Sequence, residues 1–308
     1  MNLLHLKYAV EVAKTKSINQ AAKNLYMNQP NLSRAIKELE DSLGVNLFRR
    51  TSKGIIVTPQ GEEFLVHARN ILDQVDEIEA MYKQGKSSKQ RFSISVPRAT
   101  YISAAFAEFI KLIDQTKPID IFYKETNSIR AIQNILQSNY QLAIIRYQEV
   151  FDRYYETTFN ENGLSYELIN EFSYCILMSK GNPLSYKKVL EASDLEDGVE
   201  IAYGDPYVPA LSATEAIKEE FSTNINKRIN IYERGSQFDL LLKVPNTFMR
   251  VSPLPQEYLD KYNLVQIPCK SDKRIYRDVF ICKKGYQLTD LDKLFLKKVK
   301  EAIEASKL

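Results

Sequence analysis

Apolar side chains recur at intervals of three and four through roughly the first eighty residues, then give way to shorter runs that alternate or cluster. The first pattern is that of amphipathic helices, the second that of strands set between helices. Leu3, Leu6, Val10 and Ala13 predict an opening helix. Ser17 and Gln20 fit the S-x-x-Q capping box that starts another, with Ala21 and Ala22 small enough to admit a close neighbour and Leu25 as its apolar anchor. Asn28 suits a further N-cap, and Pro30 is tolerated in the first turn because its missing N–H would have had no partner there. Leu32, Ile36, Leu39 and Leu43 then fall on one side of a helix, while Gln29, Ser33, Arg34 and Lys37 point away from it. Ser17 to Leu43 therefore reads as two short helices joined by a tight turn. The free face of the second carries the amide, hydroxyl and cationic groups that read base edges and phosphates.

Gly44 marks a helix stop, and Val45 to Phe48 is short and β-prone. A basic turn follows (Arg49, Arg50, Thr51, Ser52, Lys53, Gly54), then a return strand, Ile55 to Val57. This is the pattern of a wing, whose cations would lie along a DNA backbone and add affinity rather than sequence information. The expected DNA contacts are Ser17, Asn28, Gln29, Pro30, Ser33, Arg34 and Lys37, with Arg49, Arg50 and Lys53 on the wing. A three-helix protein-interaction module with a solvated basic turn stays open as the alternative at this level. Charge sharpens the choice. Residues 1–58 hold nine Lys/Arg against four Asp/Glu, whereas residues 59–84 hold two against six. The chain's net charge of +3 thus hides a basic head followed by an acidic helix.

Thr58 and Pro59 form an N-cap with proline at the first helical position. Phe64, Leu65, Ala68, Ile71, Leu72, Val75, Ile78 and Tyr82 then recur at threes and fours, with acidic side chains on much of the other face. A seam of this length either pairs with a copy of itself or packs on its own domain. Pairing would present two recognition helices to a two-fold symmetric site. Gly85 to Gln90 reads as a flexible linker and the clearest domain boundary.

The run Ser17, Ala21-Ala22, Leu25, Gln29-Pro30, Ser33, Leu39-Glu40, Leu43-Gly44, Leu47-Phe48-Arg49-Arg50, Thr58-Pro59 and Gly61 resembles, in order and spacing, the N-terminal signature of LysR-type transcriptional regulators. Asn28 stands where that family often has serine, and it keeps a good N-cap.

Beyond the linker, Arg91–Val96, Ile119–Lys124 and Leu142–Tyr147 predict strands, with helices at Ala104–Ile113 and Ile129–Leu136 between them. That βαβαβ rhythm argues for a parallel sheet with helices on its faces. Further strands are expected at 166–169, 174–178, 200–203, 229–232, 247–251, 264–267 and 275–282. Helices are expected at 186–191, 210–221 and 290–305, with a turn at Gly181-Asn182-Pro183. Leu142-Ala143-Ile144, Leu164 to Met178 and Asn182-Pro183-Leu184 resemble the family's effector domain, which implies two α/β lobes like those of periplasmic binding proteins. The fold class is then α+β and multidomain: a winged helix-turn-helix at 1–58, a linker helix and hinge at 59–90, lobe I at 91–165 and 266–308, and lobe II at 166–265. One departure is Lys243-Val244-Pro245-Asn246-Thr247, where the family often has a glycine-rich turn before a strand.

Ligands in such sheets bind beyond the carboxyl ends of strands, at helix N-termini and between lobes. That nominates Arg98, Ala99, Thr100, Thr126, Asn127, Ser128, Arg146 and Tyr203. Guanidinium groups hold carboxylates bidentately, so Arg98 and Arg146 suit an anionic effector, unless they are surface arginines at strand ends. Ser103, Thr100 and Ser128 either bond such a ligand or cap helices.

Both histidines, His5 and His67, precede residue 91, which removes a Ser-His-Asp triad or a His-ligated metal from the second half. With no G-x-G-x-x-G or P-loop pattern, no enzyme chemistry, cofactor or metal is expected. Glu219-Glu220 reads as a solvated helix face. Cys175, Cys269 and Cys282 are odd in number and lack a C-x-x-C pair. Cys269 and Cys282 would flank a hairpin too far apart to bridge, which suits a reduced cytoplasmic protein. No apolar run of transmembrane length and no signal peptide is read. The expected partners are double-stranded DNA, a small-molecule effector, further copies of the chain as a dimer or tetramer, and RNA polymerase for an activator. The rival expectation is a DNA-independent sensor whose N-terminal region only oligomerises.

Overall fold

The computed structural model describes residues 1–51, 54–82, 89–137, 140–209 and 225–307. The wing tip at Ser52 and Lys53, the linker at 85–88 and the expected helix at 210–221, with Glu219-Glu220, lie outside the described residues. The chain forms two compact units, Met1–Lys89 and Gln90–Leu308.

The first unit runs α1 (Leu3–Thr15), α2 (Ile18–Asn24), α3 (Gln29–Leu43), β1 (Phe48–Thr51), β2 (Gly54–Val57) and α4 (Pro59–Tyr82). In α1 the buried stripe is Leu6, Ala9 and Val12, whereas Leu3 is exposed and Val10 and Ala13 are only half-buried. The stripe is rotated by about one residue from the expected one, because Ala9 counts as core only once a helix is packed against it. Ser17 caps α2 by accepting from the Gln20 amide at 3.3 Å. Asn28 stands at the N-cap of α3, but its side chain makes no capping bond. Leu32, Ile36 and Leu39 of α3 are buried against Ala9, Ala21 and Ala22, so the two alanines do admit a close neighbour. Gly44 ends α3 at φ 72°, a left-handed turn that glycine adopts without steric cost.

β1 and β2 pair antiparallel, Phe48 opposite Val57 and Thr51 opposite Gly54. Two ties hold this hairpin. Glu40 on α3 accepts from the Leu47 and Phe48 amides at 2.7 and 2.9 Å, and the Ile55 amide bonds the Lys16 carbonyl at 3.0 Å. Thr58 caps α4 by accepting from the Gly61 amide at 3.0 Å, and its hydroxyl donates to the Asn46 carbonyl at 2.6 Å. α4 then divides its seam. Leu65 and Ala68 are buried in the head, whereas Ile71 and Ile78 are 38% and 57% exposed.

The second unit contains two five-stranded mixed sheets. The first has the order β4 (Ile119–Glu125), β3 (Gln90–Val96), β5 (Leu142–Gln148), β12 (Tyr276–Lys283), β6 (Leu164–Phe172). The β3–β4 and β3–β5 pairs are parallel, and β12 runs antiparallel to both β5 and β6. Helices α5 (Thr100–Leu112), α6 (Ser128–Gln137) and α7 (Asp152–Glu161) belong to this half, with a terminal helix at Asp290–Glu304. Phe92, Phe109 and Phe295 interlock between sheet, α5 and the terminal helix, with ring centroids 4.8–5.7 Å apart.

The second sheet has the order β11 (Leu264–Pro268), β7 (Cys175–Ser179), β10 (Thr247–Val251), β8 (Val199–Tyr203), β9 (Arg228–Ile231). The chain passes between lobes at 173–174 and 269–275, not at 165/166 and 265/266. Leu164–Phe172 reads as an entry to the next lobe in sequence, yet it pairs along its length with β12. Cys269 and Cys282 do not flank a hairpin either, because β11 pairs with β7 in one sheet while β12 lies in the other. Residues 186–191 form a turn, a bend and a β-bridge from Leu190 to Cys269 rather than a helix, and the short helix falls at Ala192–Leu195. α7 and the helices at Gln237–Lys243 and Gln256–Lys261 are not foreseen by the pattern. Asn246 takes φ 57° ahead of β10, so an asparagine supplies the left-handed turn that the missing glycine would have made.

Candidate functional site

In the first unit, α3 presents Arg34 and Lys37 to solvent beside Asn28 and Pro30, while Gln29 and Ser33 are half-exposed at the start of the same face. Arg49 on β1 is exposed as well. The Lys53 and Arg50 side chains, expected on the wing, lie outside what the structure describes. The buried stripe of α3 is what aims this face outward: with Leu32, Ile36 and Leu39 fixed in the core, Arg34 and Lys37 stand on the opposite side. Sequence reasoning did not single out Tyr26. It occupies the turn between α2 and α3 at φ 53° and is 98% exposed, next to the recognition helix.

In the second unit, the carboxyl ends of β3, β4, β5 and β8 converge on a cleft of about 140 Å³ between the two sheets. Arg98, Thr126, Asn127, Ser128, Arg146 and Tyr203 line it, as the strand-end rule expects. Ala99 and Thr100 do not. Ala99 is buried at the start of α5, and the Thr100 hydroxyl accepts from Arg234 at 3.1 Å. Ser103 donates to the Thr100 carbonyl at 2.9 Å, and the Ser128 hydroxyl donates to the Arg146 carbonyl. These hydroxyls bond the chain's own backbone. The residues missed were Asp205, Glu200, Arg250 and Tyr207, which sit on strand ends and a loop of the second lobe; no spacing in the sequence ties them to Arg98.

Among the described residues, each guanidinium lining the cleft holds a carboxylate of the chain. Arg146 grips Asp278 bidentately at 2.8 and 2.7 Å, with Tyr101 donating to the same carboxylate. Asp278 and Tyr101 are buried, so this cluster is part of the lobe's core. Burial pushes the Tyr101 hydroxyl well above its ordinary range, and the Asp278 charge adds to that. Burial works against the Arg146 charge, but Asp278 outweighs it and the group is held protonated. Arg250 meets Glu200 at 3.0 Å and Asp272 at 3.2 Å. Arg98, the remaining expected anion fork, is bidentate on Asp205 at 2.7 and 3.2 Å and lies 4.8 Å over the Tyr203 ring.

Further contacts join the lobes across the cleft. Besides Arg98–Asp205, Asn127 donates to the Asp205 carbonyl at 3.0 Å, and Arg234 meets Glu125 at 2.6 Å. The hydroxyls of Tyr154 and Tyr207 lie 2.9 Å apart. Burial raises the Tyr203 hydroxyl to about 12, so it stays protonated and donates to Gln237 at 2.7 Å. Among the described residues, no group of three His, Cys, Asp or Glu could hold a metal ion, and no helix is long and apolar enough to cross a membrane.

Residues 3–62 match the family described as bacterial regulatory helix-turn-helix protein, lysR family. The likeness continues far beyond that head. The regulator AlsR of Bacillus subtilis is 26% identical over 268 residues, covering 86% of this chain and 83% of its own. The chain carries the helix-turn-helix head of the LysR family of transcriptional regulators. BudR of Raoultella terrigena is 24% identical over 78% of this chain and 84% of its own length. Among solved structures, a full-length OxyR variant from Pseudomonas aeruginosa superposes with a TM-score of 0.62 at 16% identity, covering 97% of this chain and 98% of that one. Full-length CbnR in complex with its target DNA gives a TM-score of 0.62 at 16% identity, covering 98% and 100%. At that identity the likeness is one of fold: a helix-turn-helix head followed by a two-sheet α/β domain.

Proposed function

We propose that this LysR-family regulator binds promoter DNA as a dimer or tetramer and that a small molecule in the cleft of its second unit modulates that binding. The observation that carries the DNA half is the free face of α3, where Gln29, Arg34 and Lys37 stand beside a wing that is tied down at both its ends. Gln29 and Arg34 read base edges in the major groove, Lys37 and Arg49 contact phosphates, and Arg50 and Lys53 extend the wing along the backbone. Asn28, whose side chain makes no capping bond, is available to the DNA with Pro30 and Ser33 on the first turns of α3, and Ser17 at the start of α2 adds a further contact. The exposed half of the α4 seam, Ile71 and Ile78, pairs with a second copy, which sets two heads on a symmetric site. The cleft closes or opens with its occupant. That motion alters the spacing of the heads and hence the bend imposed on DNA. The reading includes a cytoplasmic location, no catalytic activity, and contact with RNA polymerase where the regulator activates.

A gel-shift titration of the full chain on duplex from its own upstream region tests the DNA half. Retention should weaken steeply as salt rises from about 50 to 200 mM, because phosphate contacts release counterions. Absence of a shift, or one indifferent to salt, would leave only a DNA-independent sensor. A thermal-shift screen of small metabolites tests the cleft, since a ligand raises the melting temperature by mass action. If every stabilising compound acts equally on a chain whose cleft is filled by Ala202→Trp, the effector site lies elsewhere.

A further inference from the structure

A bound carboxylate and the side chain of Asp205 present the same two oxygens to a guanidinium. Arg98 stands at the end of β3 in the first lobe, and Asp205 follows β8 in the second. Their contact is fork-to-fork, at 2.7 and 3.2 Å, and the two side chains are only 12% and 14% exposed. That is the geometry in which arginine holds a ligand carboxylate. The Asp205 carbonyl accepts from Asn127, and Arg130 lies 3.7 Å from its carboxylate, so three side chains of the first lobe grip this one residue of the second. Arg146 and Arg250, the other two cationic groups lining the cleft, are bonded to Asp278 and to Glu200 and Asp272. An incoming anion therefore meets no uncompensated cation among these three groups. To reach Arg98 it must displace a carboxylate that is tethered to the chain and so always at high effective concentration.

We propose that Asp205 is a built-in occupant of the Arg98 anion fork and the specificity-determining residue of the cleft: it excludes small carboxylates and leaves the cleft to uncharged, hydrogen-bonding ligands. The lining fits such a ligand. Tyr147, Phe151, Tyr174, Tyr207 and Tyr276 supply ring faces, while Thr126 and Gln148 supply neutral polar groups. This deepens the reading of the cleft as the effector site, on which it rests. It replaces the anionic effector expected from Arg98 and Arg146 alone.

The test compares the full chain with Asp205→Asn, with Asp205→Glu and with the double variant Asp205→Asn/Arg98→Gln. Acetate and benzoate are the probes, against sodium chloride at equal ionic strength, read by thermal shift and calorimetric titration. The wild-type chain and Asp205→Glu should show no carboxylate-specific shift. Asp205→Asn should gain saturable carboxylate binding at least about tenfold tighter than wild type, because the freed fork recovers a charge-assisted bidentate partner. The double variant should lose that gain. Asparagine preserves the side-chain shape and leaves the backbone carbonyl to Asn127, so the fold should stand; the wild-type and Asp205→Glu measurements are decisive in any case. Carboxylate binding to wild type as tight as to Asp205→Asn, no gain in Asp205→Asn, or a gain that survives loss of Arg98 overturns the proposal. None of these readouts involves DNA, so failure here leaves the DNA-binding reading intact, and failure of DNA binding leaves this result standing.

Discussion

Arg34 and Arg146 are both arginines that a pattern reading assigns to binding, and their surroundings give them opposite roles. Arg34 is exposed on the free face of α3, away from the buried stripe of that helix. Arg34→Ala should weaken binding to the specific operator by about 1–3 kcal/mol if it reads a base, with little effect on random duplex. An equal loss on both sequences would make it a phosphate contact; competitive gel shifts separate the two. Arg146 instead neutralises the fully buried Asp278. Arg146→Gln should cost about 3–5 kcal/mol of stability in denaturant titration, because it strands a buried charge. A variant that melts like wild type would show the pair to be dispensable. Cys175 is decided by burial in the same way: its thiol is pushed up to about 12 from an ordinary value near 9. The neutral thiol's contribution is complete below pH 9 and is lost as pH rises toward 12, where the unfolded chain ionises first. Iodoacetamide at pH 8 should label Cys175 only on unfolding, and rapid labelling of the native chain would contradict that burial.

At the scale of elements, the wing and α4 depend on one close approach. A Cβ placed on Gly61 would lie 2.2 Å from the Leu47 carbonyl oxygen, a backbone atom that has no rotamer with which to yield. Gly61→Ala should therefore move the start of α4 off the segment before β1. It should lower the melting temperature and weaken DNA binding together, whereas Gly235→Ala, with nothing nearby, serves as the neutral control. The helix-turn-helix was legible in the sequence because its helices are local objects: caps, stripe and stop all lie within a few residues of one another. The wing was legible for the same reason. The shifted stripe of α1 was not, since alanine at position 9 carries no hydrophobic signal of its own and becomes core only by fitting between helices.

At the scale of the whole second unit, what matters is which strand ends meet. Arg234 reaches from its lobe to Glu125 and Thr100 of the other, and Arg98 and Asn127 reach in the opposite sense to Asp205. Burial opposes the Arg234 charge and Glu125 outweighs it, so the guanidinium is held protonated. Arg234→Gln should loosen the closed cleft. Hydrogen exchange at residues 97–100 and 203–207 should rise several-fold while exchange in β5 and β12 stays unchanged, a local opening rather than global unfolding. Uniform acceleration across both sheets would show that Arg234 supports the fold and not the closure.

The sequence by itself determined the two helices of the helix-turn-helix, the hairpin after them and the strands, though not all the helices, of the second half. It also placed six of the eight expected ligand residues at the cleft, because the carboxyl end of a parallel strand is a local landmark wherever the strand later sits. Only the tertiary structure decided how those residues are partnered. Arg98 and Asp205 are more than a hundred positions apart, Arg146 and Asp278 further still, and no periodicity links them. Whether a guanidinium awaits a ligand or is already satisfied depends on which carboxylate the fold carries to it, and that is set by a chain that crosses twice between its two sheets.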